Sequence, residues 1–176
     1  SENGNAEKVC DLSDIALVGK HNFENVLPAI CAAKECGVSF SAMKKAIKSF
    51  AGLPHRLEFS GEVNDVKYYN DSFSTTPETS MAAVDSFDVP TVLIAGGFDK
   101  NLNYKEWALK ILTKLSLEVV ILLGHTADRM EQDLHEAEEK LGKDFATPTK
   151  IFRVNDIHEA VVLASKEAKK GGVVVM

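Results

Sequence analysis

The chain has 176 residues, 45% hydrophobic and 26% charged, with a net charge of −6, which gives an ordinary globular chain room for one domain and part of another. The acidic balance excludes a general nucleic-acid binder, which clusters Lys and Arg on one face. No apolar run reaches the roughly 18–20 residues of a membrane span and no signal peptide opens the chain, so neither membrane insertion nor secretion is expected and a cytoplasmic setting is.

Ser1 to Ala6 are small and polar and read as a flexible or appended opening. Cys10, Cys31 and Cys36 are odd in number and lack CxxC or metal spacing, so they read as buried or idle thiols. From Ala29 to Phe50 apolar residues recur at helical spacing, interrupted at Gly37. Pro28 is tolerated in a first helical turn, which would make Asn25 the N-cap; a start at Asn22 requires a kink at Pro28 instead. His21, Asn22 and Asn25 place amides near a helix start, suited to capping or to reading an adenine edge. Ala51-Gly52-Leu53-Pro54 is a break and reads as a domain junction, dividing the chain into 1–52 and 53–176.

Beyond it, Leu57, Phe59 and Val63 alternate with Glu58, Ser60 and Glu62, the pattern of a half-buried strand. Asn64-Asp65 predicts a turn and Val66–Tyr69 a returning strand. Thr76 as N-cap and Pro77 at the first helical position predict a helix to Phe87. Thr91–Ala95, Val119–Leu123 and Lys150–Val154 are short apolar runs, and Val173–Met176 begins a fourth. Between them lie helical stretches: Tyr104–Leu115, with Trp107, Ile111 and Leu115 on one face; Ala127–Leu141, stepping by three and four; and Ile157–Lys169, stopped by Gly171-Gly172. Strands alternating with helices predict an α/β fold, a Rossmann-like, mostly parallel sheet flanked by helices and preceded by a helical tail. Ending inside a core strand, the chain reads as a truncated piece.

Such sheets bind ligands at the carboxyl ends of their strands. The loops to examine are therefore Asn70–Thr76, Gly96–Lys100, Gly124–Arg129 and Asn155-Asp156. In the first, hydroxyls beside a helix N-terminus suit a carboxylate or phosphate, and Asp71 suits a ribose hydroxyl, although a well-capped loop explains the same residues. Gly96-Gly97-Phe98-Asp99-Lys100 permits close ligand approach beneath a lysine charge but lacks the GxxxxGK[ST] spacing that cradles a triphosphate. Arg56 offers a planar fork for phosphate or base stacking. His125, His135 and His158 lack partners at metal-ligand spacing, so no metal site is assigned.

Taken in order, Gly19-Lys20-His21-Asn22-Phe23-Glu24-Asn25, Phe50-Ala51-Gly52-Leu53-Pro54-His55-Arg56-Leu57-Glu58, Tyr69-Asn70-Asp71-Ser72 and Ile94-Ala95-Gly96-Gly97-Phe98-Asp99-Lys100 resemble the Mur ligases of peptidoglycan synthesis, within them the D-glutamate-adding branch. The resemblance runs from about Val18 to Met176. It implies that 1–52 are the tail of a central ATP-binding domain and 53–176 most of a C-terminal amino-acid-binding domain. It also implies an ADP-forming ligase that phosphorylates UDP-N-acetylmuramoyl-L-alanine and joins D-glutamate to it, acting as a monomer. ATP and Mg²⁺ are implied, with the phosphate loop and metal ligands outside this piece, which alone would be inactive. Asn22, Asn25, Arg56 and Asp71 match ATP-binding positions. Ser72, Thr75 and Lys100 match amino-acid-binding ones, Lys100 also lying close to the transferred phosphate as the catalytic candidate. Two departures stand out: Phe73 where the family usually has Lys, and Thr75-Thr76-Pro77 where it often has Thr-Asn-Pro. The rival expectations are a related Mur-type or folylpolyglutamate-type ligase for another amino acid, and a non-catalytic Rossmann-like binding module.

Overall fold

Short runs of β-branched and leucine side chains, each closed by glycine or a helix cap, bury both faces of a strand, and that is how they fold. The computed structural model describes residues 7–142 and 149–176; the opening Ser1–Ala6 lies outside them. The chain divides into two compact units, Ser1–Leu53 and Pro54–Met176.

In the first unit a 3₁₀ turn at Leu12–Asp14 precedes helices α1 (Lys20–Glu35) and α2 (Phe40–Ser49). Helix α1 starts at Lys20 with Gly19 as N-cap, so Asn25 is not a cap and Pro28 lies well inside the helix. There Pro28 has no N–H to give the Glu24 carbonyl. Gly37, at φ 77°, makes the turn between the helices, and the Ser39 side chain accepts the Ala42 amide to open α2. The three cysteines are free, and Cys31 and Cys36 are exposed rather than buried.

The second unit is built on six strands: β1 (Glu58–Val63), β2 (Val66–Asn70), β3 (Thr91–Gly97), β4 (Leu117–Gly124), β5 (Lys150–Arg153) and β6 (Val173–Val175). Their order is β1-β2-β6-β3-β4-β5, parallel except for the β1–β2 hairpin. Asn64 and Asp65, both at positive φ, close that hairpin in two residues, as a type I′ turn requires. The half-buried reading of β1 fails. A register shift between Phe59 and Gly61 breaks the alternation, and Phe59 and Val63 are exposed on this edge strand.

Helices α3 (Pro77–Asp85), α4 (Lys105–Thr113), α5 (Ala127–Leu141) and α6 (Ile157–Glu167) connect the strands. Val92, Ile94, Val119, Ile121 and Val174 form a buried cluster with Ala160 and Ala164 of α6. The intervening Leu93, Val120, Leu122 and Val175 are equally buried; alternation turns them to the other face. Helices α3 and α5 pack on the sheet, with α4 against both of them. Each such side chain contributes about 1.5–3 kcal/mol on burial. Leu115 falls outside α4 and is exposed, since the helix ends at Thr113. Among the described residues no helix is long and apolar enough to cross a membrane.

Candidate functional site

Five parallel strands end on one edge of the sheet, and a half-open cavity of about 410 Å³ lies there, lined by strand ends, loops and helices. Its lining includes Ser72, Thr75, Lys100, Tyr104, Thr126 and Met176. The site is wholly within the second unit.

The loop after β2 is organised by Asp71, which is buried. One carboxylate oxygen accepts the Leu57 amide at 2.9 Å, the other accepts the Ser74 hydroxyl, and the Asp71 amide donates to the Met176 carbonyl at 2.7 Å. Asp71 thus joins three chain segments, and it borders the cavity with each carboxylate oxygen already accepting one hydrogen bond from the protein. His55 and Leu57 are held at positive φ, 61° and 43°, where L-residues are uncommon. The Phe73 amide donates to His55 O at 3.1 Å, and Asn70 Nδ2 lies 2.9 Å from His55 Nδ1. These bonds tie the 55–57 segment to the loop. Between the two constrained residues, Arg56 projects over the exposed Phe73 ring at 4.9 Å. The aromatic ring at position 73 supplies no charge, but it holds one in place.

Ser72 and Thr75 stay exposed on this loop and line the cavity. Thr76 accepts the Thr79 amide and opens α3 as expected, with Pro77 at its first turn. At the end of β3, a Cβ on Gly96 would lie 1.9 Å from the Leu123 carbonyl oxygen, so the backbones touch and only glycine fits. The chain then swings through Phe98–Asn101. Asp99 is the anchor: it accepts the Asn101 amide at 2.6 Å and pairs with Arg129 on α5. The Asn101 amide, and then Arg129, hold the Asp99 carboxyl below its usual range. Lys100, between the anchored residues, lines the cavity and has no ion-pair partner among the described residues. It is an exposed charge available to an anion.

The other expected positions lie elsewhere. Asn22 and Asn25 belong to the first unit. Asn22 Nδ2 donates to Val18 O at 2.6 Å, and Asn25 Nδ2 to Asn22 Oδ1 at 3.3 Å, so the two amides brace the start of α1. Asn155-Asp156 is a cap: Asp156 accepts the Glu159 amide. His125 meets Phe98 at a tilted angle, His135 lies by Glu138, and His158 is exposed.

Sequence reasoning flagged the Gly124–Arg129 loop without singling out Thr126, and it missed the cavity wall. There Trp107 donates to Ser80 Oγ at 3.2 Å, and burial raises the Tyr104 phenol above its ordinary value. Helical spacing marks Trp107 as core and leaves Tyr104 unassigned, and no local pattern says that a core side chain borders a cavity.

Residues 55–176 match the family model for the Mur ligase glutamate ligase domain. The UDP-N-acetylmuramoylalanine–D-glutamate ligase of Clostridium tetani (strain Massachusetts / E88) is 38% identical over 172 residues, 98% of this chain and 36% of the relative. That of Clostridium botulinum (strain 657 / Type Ba4) is 38% identical over 170 residues, 97% and 36% respectively. The chain therefore spans about a third of the length of these relatives. Among solved structures, the UDP-N-acetylmuramate–alanine ligase of Thermotoga maritima superposes with a TM-score of 0.68 at 15% identity, covering 92% of this chain and 35% of the other. The Mycobacterium tuberculosis folylpolyglutamate synthase, complexed with ADP, gives 0.65 at 12%, covering 92% and 38%. At these identities the likeness is one of fold.

Proposed function

The chain belongs to the Mur ligase family through its glutamate ligase domain, and on that footing we propose that it supplies the amino-acid-binding part of an ATP-dependent ligase joining D-glutamate to UDP-N-acetylmuramoyl-L-alanine. The observation that carries this reading is an unpaired Lys100 lining the same strand-end cavity as Ser72 and Thr75. A dicarboxylic amino acid needs a cation and hydroxyl donors, and these residues provide both. The named substrates are those of the 38%-identical relatives.

In this reading ATP phosphorylates the sugar-peptide carboxylate, and the amine of D-glutamate displaces phosphate to form the amide. Lys100 holds a carboxylate of the incoming amino acid and opposes the negative charge that develops as phosphate departs. Ser72 and Thr75 orient the amino acid so that its amine faces the acyl carbon; such positioning supplies much of the rate in reactions of this type. Asp71 acts one step removed, by holding the loop that carries them.

The triphosphate and Mg²⁺ do not fit the residues present. No stretch has the phosphate-loop spacing, and among the described residues no three His, Cys, Asp or Glu side chains gather as a metal site. We assign both to the remaining length of the enzyme, with the first unit as the tail of its ATP-binding domain. Asn22 and Asn25, on the first unit, are then the amides we assign to the nucleotide.

The test is Lys100→Ala in the full-length enzyme. Melting should be unchanged, because an exposed unpaired lysine contributes within about ±0.5 kcal/mol. D-Glutamate-dependent ligation should fall on the order of 10²–10³-fold, and Phe73→Lys in the same background should restore part of it. Near-wild-type kcat/KM for D-glutamate, or preference for another amino acid in the parent enzyme, would remove the reading.

A further inference from the structure

Strand β4 delivers its last residue, Gly124, into a tight turn against β3. The φ of Gly124 is 77°, and a Cβ there would meet the Gly97 backbone at 3.0 Å. The turn places Thr126 at the N-cap of α5, its amide donating to Gly97 O at 3.3 Å.

At an N-cap, threonine normally adopts an extended backbone and its hydroxyl accepts an amide of the first turn. Thr76 and Asp156 do this in the same unit. Thr126 does not. Its backbone is helical, φ −88° and ψ −7°, and its side chain makes no cap bond. Thr126 is 2% exposed, and its Oγ1 is the one buried side-chain polar atom among the described residues without a hydrogen bond. The Tyr104 hydroxyl is near enough to the Thr126 side chain for a weak hydrogen bond that slightly favours the ionised phenol, but outside ordinary hydrogen-bond distance and angle, so Oγ1 keeps no full partner within the protein. A buried polar atom left unmatched is costly, and one that lines a cavity points to a partner that enters it.

The chemistry of that partner follows from the surroundings. Helix α5 has 15 residues, and no side chain caps its first turn, so its amino-terminal amides carry partial positive charge toward the cavity edge. Arg129, in that first turn, pairs with Asp99 and lies 3.5 Å from Asn101 Oδ1, fastening the Lys100 loop to α5. Asp99 pairs with Arg129 and Asp128 with Arg153, while Asp71, the acid lining the cavity itself, is engaged by the Leu57 amide and the Ser74 hydroxyl. A hydroxyl donor, a helix N-terminus and an unpaired lysine together select an anion.

We infer that the Thr126 hydroxyl donates a hydrogen bond to a carboxylate oxygen of the amino-acid substrate, from the side of the cavity opposite the Ser72–Thr75 loop in the sheet order. This rests on the proposed function for the occupant of the cavity; the residue and its role are additional to it. Thr126 then sets affinity for the amino acid rather than the rate of phosphoryl transfer.

Thr126→Val keeps the shape and removes the hydroxyl, whereas Thr126→Ser keeps the hydroxyl. In the full-length enzyme the valine variant should raise KM for D-glutamate about 10–100-fold, the span of a hydrogen bond to a charged group. KM for ATP should be unchanged, and melting no lower than wild type. The serine variant should stay within about threefold on all counts. An unchanged KM for D-glutamate in the valine variant would mean that a water satisfies the hydroxyl, and the inference would fall. A lowered melting temperature in the valine variant, with KM for every substrate rising together, would make Thr126 structural and overturn it equally. Should the parent enzyme take another amino acid, the proposed substrate is wrong, and the same valine–serine comparison on that amino acid still decides Thr126.

Discussion

The two units treat their apolar residues in opposite ways. In Pro54–Met176 the strands and helices exclude water from both faces of the sheet, and Val120, Ile121, Leu122 and Val175 reach 0% exposure. In Ser1–Leu53, Met43 is the one buried hydrophobic residue among those described, while Leu12, Leu27 and Phe50 stand open. Both units have apolar stripes at helical spacing. A stripe becomes a core only when a second layer covers it, and the sheet provides that layer. The lesson bears on function: the cavity and Lys100 sit on strand ends that a packed core holds still, whereas the amides of Asn22 and Asn25 sit on a helix with little behind it.

The strongest test of this contrast is Gly96→Ala. The new Cβ would lie 1.9 Å from a backbone oxygen on the neighbouring core strand, at a φ of 131°. Neither backbone can yield without breaking the β3–β4 pairing, so we expect a loss beyond about 4 kcal/mol, the exceptional end for single substitutions. Gly97→Ala is the control. Nothing lies within 4 Å of its new Cβ, but its φ of 137° still strains an alanine, for which about 1–3 kcal/mol is expected. Trp107 is the chain's single tryptophan and is 1% exposed, so its fluorescence follows the second unit's core. Equal melting shifts for the two variants would show that the close approach of β3 and β4 does not constrain the core.

Met43→Ala asks the same question of the first unit. Removing the one buried anchor there should cost about 2–4 kcal/mol, enough to open α1 and α2. Amide exchange in those helices should accelerate while the Trp107 transition stays where it was. A matching shift of the Trp107 transition would show the units to be one cooperative block, and the contrast would fail.

Much of the second unit is legible in the sequence because its signals are local. The runs at Thr91, Val119, Lys150 and Val173 fold as strands, and the three-and-four stepping from Ala127 to Leu141 folds as a helix. The place of β6 between β2 and β3 is a long-range choice that no window reveals. Phe59 and Val63 misled because one extra residue at a bulge overturns a period of two. Pro28 leaves the start of α1 open between Asn25 as cap and an earlier start, and the helix takes the earlier one, passing Pro28 because its other bonds hold. Around the cavity, Lys100 and the polar Asn70–Thr76 loop are readable as segments that follow strands. The bond from the Leu57 amide to Asp71 and the unmatched hydroxyl of Thr126 are not, since each depends on atoms from distant segments.

The smallest expected effect concerns what the first unit uses in place of a core. Asp14 lies 2.9 Å from Lys48 Nζ and 3.3 Å from Lys44 Nζ, joining the 3₁₀ turn to α2. The hydrogen bond from Lys48 comes first, then that from the Asp11 amide, in lowering the Asp14 carboxyl from 3.8 to about 2. The folded form therefore holds the ionised carboxylate more tightly than the unfolded chain does. Stability from this group is fully present above the ordinary carboxylate range and is lost as pH falls through 3.8 toward about 2. Amide exchange at the start of α2 should therefore accelerate across that window in the wild type. Asp14→Asn should flatten the response, because an amide does not titrate there. Lys48→Gln should flatten it more than Lys44→Gln, following the order of their contributions. Acidification also releases lowered carboxylates in the second unit, Glu78, Asp99 and Glu136 among them. The comparison must for that reason be made between variants at α2, not between units. If wild type and Asp14→Asn show the same acid response at α2, the ion pairs are incidental, and Met43 alone holds the first unit together.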